Sequence, residues 1–232
     1  MESWLPFDPS HLPFLFLAII VAFTVHEFAH AASAYRFGDP TAHKLGRVTL
    51  NPMPHVSLLG LVFILLLGFG WARPVPVNRA NFKHPRAMGI VVSAVGPLSN
   101  LLLAVAAAAL AYALFATGWM DGASEGVVKA VGLMFYYSIH INMLLFVFNL
   151  IPLPPLDGYR IVEDLAPLRL RLQMMKYEHW GVYVFLLIVF ITPLYNMTLG
   201  PILSQIVVLR EGLFGAMSGL FDVYINWTYF GS

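Results

Sequence analysis

The amino-acid sequence predicts an all-α polytopic membrane protein with about five to six crossings and one short re-entrant or β-hairpin element. Three observations carry this expectation. Hydrophobic residues fill 59% of the 232 positions and charged residues only 11%, with a mean hydropathy of +0.76, whereas soluble domains are about a quarter charged. The apolar residues lie in long runs, and a hydrocarbon core takes about 20 helical residues to cross. Polar residues gather between the runs, beside prolines and glycines that end helices. Little chain is left over, so residues 1–232 read as a single membrane-embedded domain.

Taken in order, the first run extends from about Leu12 to Tyr35 and is apolar except for Thr24, His26, Glu27, His30 and Ser33. As a helix it would be roughly 36 Å long, enough to span. Gly38-Asp39-Pro40 ends it. The next run, Val56 to Trp71, is interrupted by Gly60, Gly68 and Gly70 and is followed by Arg73-Pro74-Val75-Pro76-Val77, which cannot continue a helix. Both of its flanks are basic, with Arg36, Lys44 and Arg47 before it and Arg73, Arg79, Lys83 and Arg86 after it. Lys and Arg collect in cytoplasmic loops, so this run is expected to enter and leave on one side. Ala87 to Ala116 and Val127 to Leu150 are long helix candidates joined by a loop carrying Asp121 and Glu125. Prolines 152, 154 and 155 end the second of these, because they remove donors and disfavour the α conformation before them. Gly181 to Tyr195 reads as a further crossing, and Leu199 to Ile225 as a last, more broken segment. The expected topology puts the N-terminus outside and residues 36–54, 72–86 and 151–176 in the cytoplasm.

Composition also excludes partners. The net charge of +1, without a cluster of Lys and Arg, argues against nucleic acid. The absence of cysteine excludes disulfides and thiolate ligands, so any bound metal would rest on His, Asp or Glu. The opening MESWLPFDPSHLPFLF has no basic n-region and no small-residue cleavage site, so the first run is expected to remain in the mature chain.

His26-Glu27-Phe28-Ala29-His30 is an HExxH sequence. Residues four apart share a helix face, so two imidazoles can grip one zinc ion while the adjacent glutamate takes a proton from water. Ionisable groups within an apolar span are costly and by default mark function. A catalytic zinc usually has three protein ligands, so a third is needed. Asp157 is the best candidate, since it follows a proline-broken helix end on the side expected for the HExxH sequence. Pro-x-Asp-Gly is also ordinary turn chemistry, and that reading stays open on the residues alone. Glu163 and His55 are the next candidates.

Further motifs then appear in order. Ala34-Tyr35-Arg36-Phe37-Gly38-Asp39-Pro40, Gly46-Arg47-Val48-Thr49-Leu50-Asn51-Pro52, Gly96-Pro97-Leu98-Ser99-Asn100 and the Asn149-to-Asp157-Gly158 segment follow the HExxH sequence. Together they resemble the site-2 protease (M50) family of intramembrane zinc metalloproteases, in its small form without PDZ or CBS domains. The resemblance covers roughly residues 20–165. It implies a three-helix catalytic core in which His26, His30 and Asp157 ligate Zn2+, Glu27 is the general base and Asn149 orients the substrate backbone. Gly96, Pro97 and Asn100 would belong to the middle helix of that core, where close packing explains the glycine as well as any catalytic part does. After Asn51-Pro52, this chain has His55-Val56-Ser57-Leu58 where relatives often read His-x-Asp-Pro, so an interfacial histidine is expected at 55.

His140 and Asn142 are expected to face the bundle interior. His11, His43, His84 and His179 should lie near membrane edges, and Trp4, Trp71, Trp119, Trp180 and Trp227 at span ends as interfacial anchors. The implied activity is cleavage of single-pass or signal-peptide-like substrates in or near their membrane segments, in a multi-pass cell-membrane protein whose site faces the cytoplasm. A metal-ion transporter would show repeats and polar residues spread over several helices, and a non-catalytic binding protein would not need Glu27.

Overall fold

The computed structural model describes residues 8–67 and 70–231; Trp4 and Gly68, singled out above, lie outside them. The chain begins with a 3-10 turn at Pro9–His11 and continues into α1, Leu12–Arg36. The buried residues of α1 are Leu15, Ala18, Ile19, Ala22, Phe23, Thr24, His26, Glu27, His30, Ala31 and Ala34. All but Thr24, whose hydroxyl bonds back to the Ile20 carbonyl, form one stripe recurring at i, i+3, i+4 and i+7, the mark of a helix packed along a single face. That stripe is apolar up to Phe23 and ionisable beyond it. Gly38, at φ +99°, reverses the chain after α1, and the Asp39 N–H returns to the Ala34 carbonyl at 2.9 Å.

A single turn, α2 (Thr41–Lys44), leads into an irregular segment and then α3, Leu58–Leu67. The Arg73 N–H donates to the His55 carbonyl at 2.8 Å, so the chain returns after α3 to the point it left. The expected re-entrant element is therefore a short helix with an extended return, and no strand occurs among the described residues. The interrupting glycines have a packing reason. A Cβ on Gly60 would collide with the Trp71 backbone and one on Gly70 with the Gly60 backbone, so the two limbs touch main chain to main chain. Ile64 docks α3 onto Leu15, Ile19 and Ile141.

The core of the bundle is α4, Pro85–Ala116, which lies against both α1 and α5, Glu125–Asn149. The buried face of α4 runs through Gly89, Ser93, Gly96, Asn100, Ala104, Ala108 and Ala111. Small residues there let three backbones approach closely, the usual way helices associate where lipid removes the hydrophobic drive. Pro97 sits within α4 and donates no hydrogen bond. These three helices form the expected three-helix core.

After α5 come α6 (Asp157–Leu165), α7 (Leu168–Phe190), α8 (Thr192–Met197), α9 (Leu199–Phe221) and α10 (Thr228–Gly231). Among the described residues, four helices are long and apolar enough to cross a membrane: Pro9–Arg36, Pro85–Ala116, Glu125–Asn149 and Leu199–Phe221. The last of these makes Leu199 onward a full-length span candidate. The crossing expected at 181–195 is instead the second half of α7, whose first half carries Arg169, Arg171, Lys176 and Glu178. Ile191 adopts an extended conformation and divides it from α8, in whose first turn Pro193 lies. On the far side of the bundle α9 packs on α4 and α5 around Tyr112, Leu133, Met143, Phe214 and Trp227. Trp227 is therefore a core residue: it stacks on Phe214 and its indole N–H reaches the Tyr112 hydroxyl at 3.2 Å. Trp119 and Trp180 are exposed, as anchors would be.

Candidate metal centre

The ionisable end of the α1 stripe faces α4, and Gly96 of α4 is the point of closest approach. A Cβ there would overlap the His30 ring and crowd that of His26. The glycine is thus a cradle for two imidazoles, which is more than close backbone packing. The rings meet edge to face with their Nε2 atoms 3.0 Å apart.

Asp157 opens α6 directly behind the turn at Ile151–Leu156. Gly158 lets that turn fold tightly, because a Cβ there would strike the Leu150 and Ile151 carbonyls. The carboxylate reaches in so that Oδ2 lies 3.2 Å from His26 Nε2 and 3.3 Å from His30 Nε2. Three ligand atoms from α1 and α6 thus form a nearly equilateral triangle. Zinc bonds of about 2.0–2.1 Å at tetrahedral angles separate ligand atoms by about 3.3–3.4 Å.

The hydrogen bonds around this triangle test whether a cation fits it. His30 Nδ1 lies 2.7 Å from the Val92 carbonyl, and His26 Nδ1 lies 2.7 Å from Asn100 Oδ1. Oxygen only accepts, so each Nδ1 carries the proton and each Nε2 presents a lone pair. Two lone pairs and a carboxylate oxygen then converge, and Asp157 Oδ2 is buried without a hydrogen-bond partner. Such a cluster of electron-rich atoms is repulsive unless a cation sits among them, so the donor set fits zinc. His26, His30 and Asp157 form the group with this property among the described residues.

The triangle lines a cavity of about 730 Å³ together with Glu27, Asn149, Phe23, Ser93 and the segment from Trp71 to Ala80. Glu27 Oε2 accepts the Val75 N–H at 2.7 Å. Asn149 donates through Nδ2 to the Leu145 carbonyl, one turn back on α5, at 3.0 Å. The segment crossing the cavity is fastened at both ends. The Arg73 carbonyl takes the Arg47 guanidinium, and the Asn78 N–H reaches Asp39 Oδ2 at 2.7 Å. Asp39 is wholly buried and also holds Asn81 Nδ2 and both donors of Thr41. Burial alone would raise its pKa, but these hydrogen bonds outweigh it and hold the carboxyl below the ordinary aspartate value of 3.8.

The fallback residues do not join the centre. His55 is buried, and its Nε2 lies 2.8 Å from the Thr49 carbonyl. Glu163 lines the cavity but belongs to an ion network. Arg79, Arg160 and Arg171 surround Glu163 and Asp164, and Arg160 also pairs with Glu178. Burial pushes the Asp164 carboxyl up despite its arginines. His140 packs on Tyr136 and lies 3.5 Å from Arg210, on the α9 side of α5. Sequence reasoning missed the anchoring part of Asp39, hidden in a turn motif, and the contact of the Val75 N–H with Glu27, since a backbone donor leaves no trace in the residue pattern.

Comparison with known proteins bears on this geometry. The family model described as peptidase family M50 matches residues 14–192, a span holding every residue of the centre. The chain belongs to peptidase family M50. A Bacillus subtilis (strain 168) protein provisionally named zinc metalloprotease YwhC is 48% identical over 206 residues, covering 88% of this chain and 92% of that protein. Proteins provisionally named zinc metalloprotease Rip2 are more distant. The one from Mycolicibacterium smegmatis is 31% identical and the one from Mycobacterium tuberculosis 32%, each match covering 76% of this chain and 66% of the relative. No solved structure matches. As an M50 peptidase with apolar spanning helices, the chain is a membrane zinc metalloprotease of the site-2 type.

Proposed function

We propose that this M50 peptidase hydrolyses peptide bonds within or near the membrane segments of single-pass or signal-peptide-like proteins, with His26, His30 and Asp157 holding zinc. The observation that carries the reading is the triangle of lone pairs at 3.0, 3.2 and 3.3 Å in the same cavity as a glutamate. Zinc held there would supply Lewis acidity, polarising a carbonyl and bringing the pKa of a water toward neutrality. Glu27 is the general base: it takes the proton of the attacking water and returns it to the leaving amine. The Val75 N–H fixes one of its oxygens, so the carboxylate is oriented before a substrate arrives.

Asn149 lines the same cavity and has one amide hydrogen committed to its own helix, which leaves the rest of the amide to orient a substrate backbone. A helical substrate has its carbonyls already bonded and must unwind before attack. The fastened segment from Arg73 to Asn78 is the edge on which an unwound stretch would lie, because it borders the cavity in a non-helical form and its ends are held. Residues 1–232 act as one membrane-embedded unit with the cavity toward the cytoplasm, the side on which Lys and Arg gather.

The test is cleavage of a panel of single-pass peptides by purified protein. Glu27→Gln should keep its zinc and lose about two to four orders of magnitude in turnover. Asn149→Ala should slow cleavage with zinc retained. Loss of metal from Glu27→Gln, or full activity in it, would sink the assignment of the base.

A further inference from the structure

The metal centre needs His26 to present Nε2 as a lone pair, and the neighbour that decides this is an amide, Asn100, whose two ends differ only in direction. A backbone carbonyl cannot turn round, as the Val92 carbonyl behind His30 cannot, but an asparagine can. If Asn100 presented its NH2 to His26, Nδ1 would have to accept, the proton would move to Nε2, and that nitrogen could not bind a metal. Something must hold Asn100 in one sense.

The structure assigns that task to Asn142 of α5, as a positioning residue for His26 acting through Asn100. The inference rests on the reading of His26 as a zinc ligand. Asn100 and Asn142 are both buried, at 0% and 3% exposure, so no water competes for their amides. The chain of bonds has one direction. Asn142 Nδ2 donates to the Ser138 carbonyl, a fixed backbone acceptor, at 2.8 Å. This turns Asn142 Oδ1 toward Asn100, whose Nδ2 donates to it at 2.8 Å and to the Ala22 carbonyl at 3.2 Å. With its NH2 spent on two acceptors, Asn100 can offer His26 only its oxygen, at 2.7 Å. Reversing Asn100 alone would set its oxygen against Asn142 Oδ1 and the Ala22 carbonyl. Reversing both amides would set the Asn142 oxygen against Ser138. Every alternative faces oxygen with oxygen in a dry interior, so the tautomer of His26 is fixed from α5, across the full width of the three-helix core.

The shorter of the two bonds holding Asn100 is the one from Asn142, so its removal should matter. Replacing partners that orient a metal-bound histidine typically costs about 10- to 100-fold in metal affinity. Zinc affinity of the full-length protein in detergent, measured by competition with a chromophoric chelator, is the primary readout. Asn142→Leu, which has similar bulk and no acceptor, should weaken zinc binding by about 10- to 100-fold. Asn142→Asp, whose protonated carboxyl can donate to Ser138 and accept from Asn100, should stay within about threefold of the parent. The second readout is the 15N spectrum of labelled histidine: the parent should show His26 protonated at Nδ1, and Asn142→Leu should weaken that signal. A merely structural role would leave this signal in place. Asn142→Ala carries the same expectations as the leucine variant should the latter not fold. Parent-like affinity and an unchanged Nδ1–H signal without the acceptor, or equal loss in Asn142→Asp, would overturn the inference. His26→Ala serves as the control: if it keeps zinc, the ligand reading itself has failed, and if it loses zinc while Asn142→Leu does not, only the positioning role has.

Discussion

At the scale of single residues, the centre depends on what is absent as much as on what is present. Gly96 has no side chain where the His30 ring lies, and the smallest addition there meets both imidazoles. Gly96→Ala should therefore leave helix content unchanged while zinc affinity falls at least tenfold, since the rings must rotate away from the Asp157 carboxylate. Parent-like zinc binding by that variant would mean that α4 can shift to accommodate a methyl group. The HExxH sequence made two candidate ligands and a candidate base legible directly, because helical spacing alone puts 26 and 30 on one face. Asp157 was the leading candidate for a third ligand on the residues alone, with an ordinary turn role left open, and the structure brings it to within 3.3 Å of both histidines.

At the scale of elements, the fastened segment from Arg73 to Asn78 is where sequence reading was weakest. Prolines showed that it could not be helical, and nothing in the pattern showed that its Val75 N–H would meet Glu27 or that Asp39 would tie its far end. Backbone donors have no residue code, and Asp39 was hidden within an ordinary helix-ending turn. Asp39→Ala strips the acceptor from Asn78 and Asn81 and should cost about 1–3 kcal/mol in stability. The sign of the pH dependence follows from the lowered pKa of Asp39. Its contribution is present in full above 3.8 and disappears as pH falls through the lower folded-state value. The stability difference between the parent and Asp39→Asn should accordingly shrink on acidification below that point, as read from thermal unfolding in detergent. A difference that stays constant with pH would show that Asp39 does not act as a carboxylate. The glycine-broken run from 56 to 71 was expected to re-enter because short length and basic flanks are physical limits on crossing, and its chain does return to the point it left, the Arg73 N–H meeting the His55 carbonyl.

At the scale of the whole molecule, hydropathy made α1, α4 and α5 readable to within about two residues, since lipid demands continuous apolar length, whereas α9 ends at Phe221, short of the expected Ile225. It misjudged α7, where the apolar residues from 181 onward continue a helix that begins in a charged loop. The proposed orientation rests on the distribution of Lys and Arg, and the chain has no cysteine to confuse a labelling experiment. Cysteines placed singly at 44, 83 and 171 should all react from the cytoplasmic side. Reaction of position 83 from the opposite side would require α3 and its return to cross fully. The claim on which the rest depends is that α1 and α6 together supply three zinc ligands. The most direct measurement of it is the zinc content of purified Asp157→Ala beside the parent, with folding monitored in both. Two histidines are too few for the usual catalytic site, so the account predicts that the parent binds one zinc per chain and that the variant loses most of it together with its activity. Full zinc occupancy and continued cleavage by Asp157→Ala would contradict it.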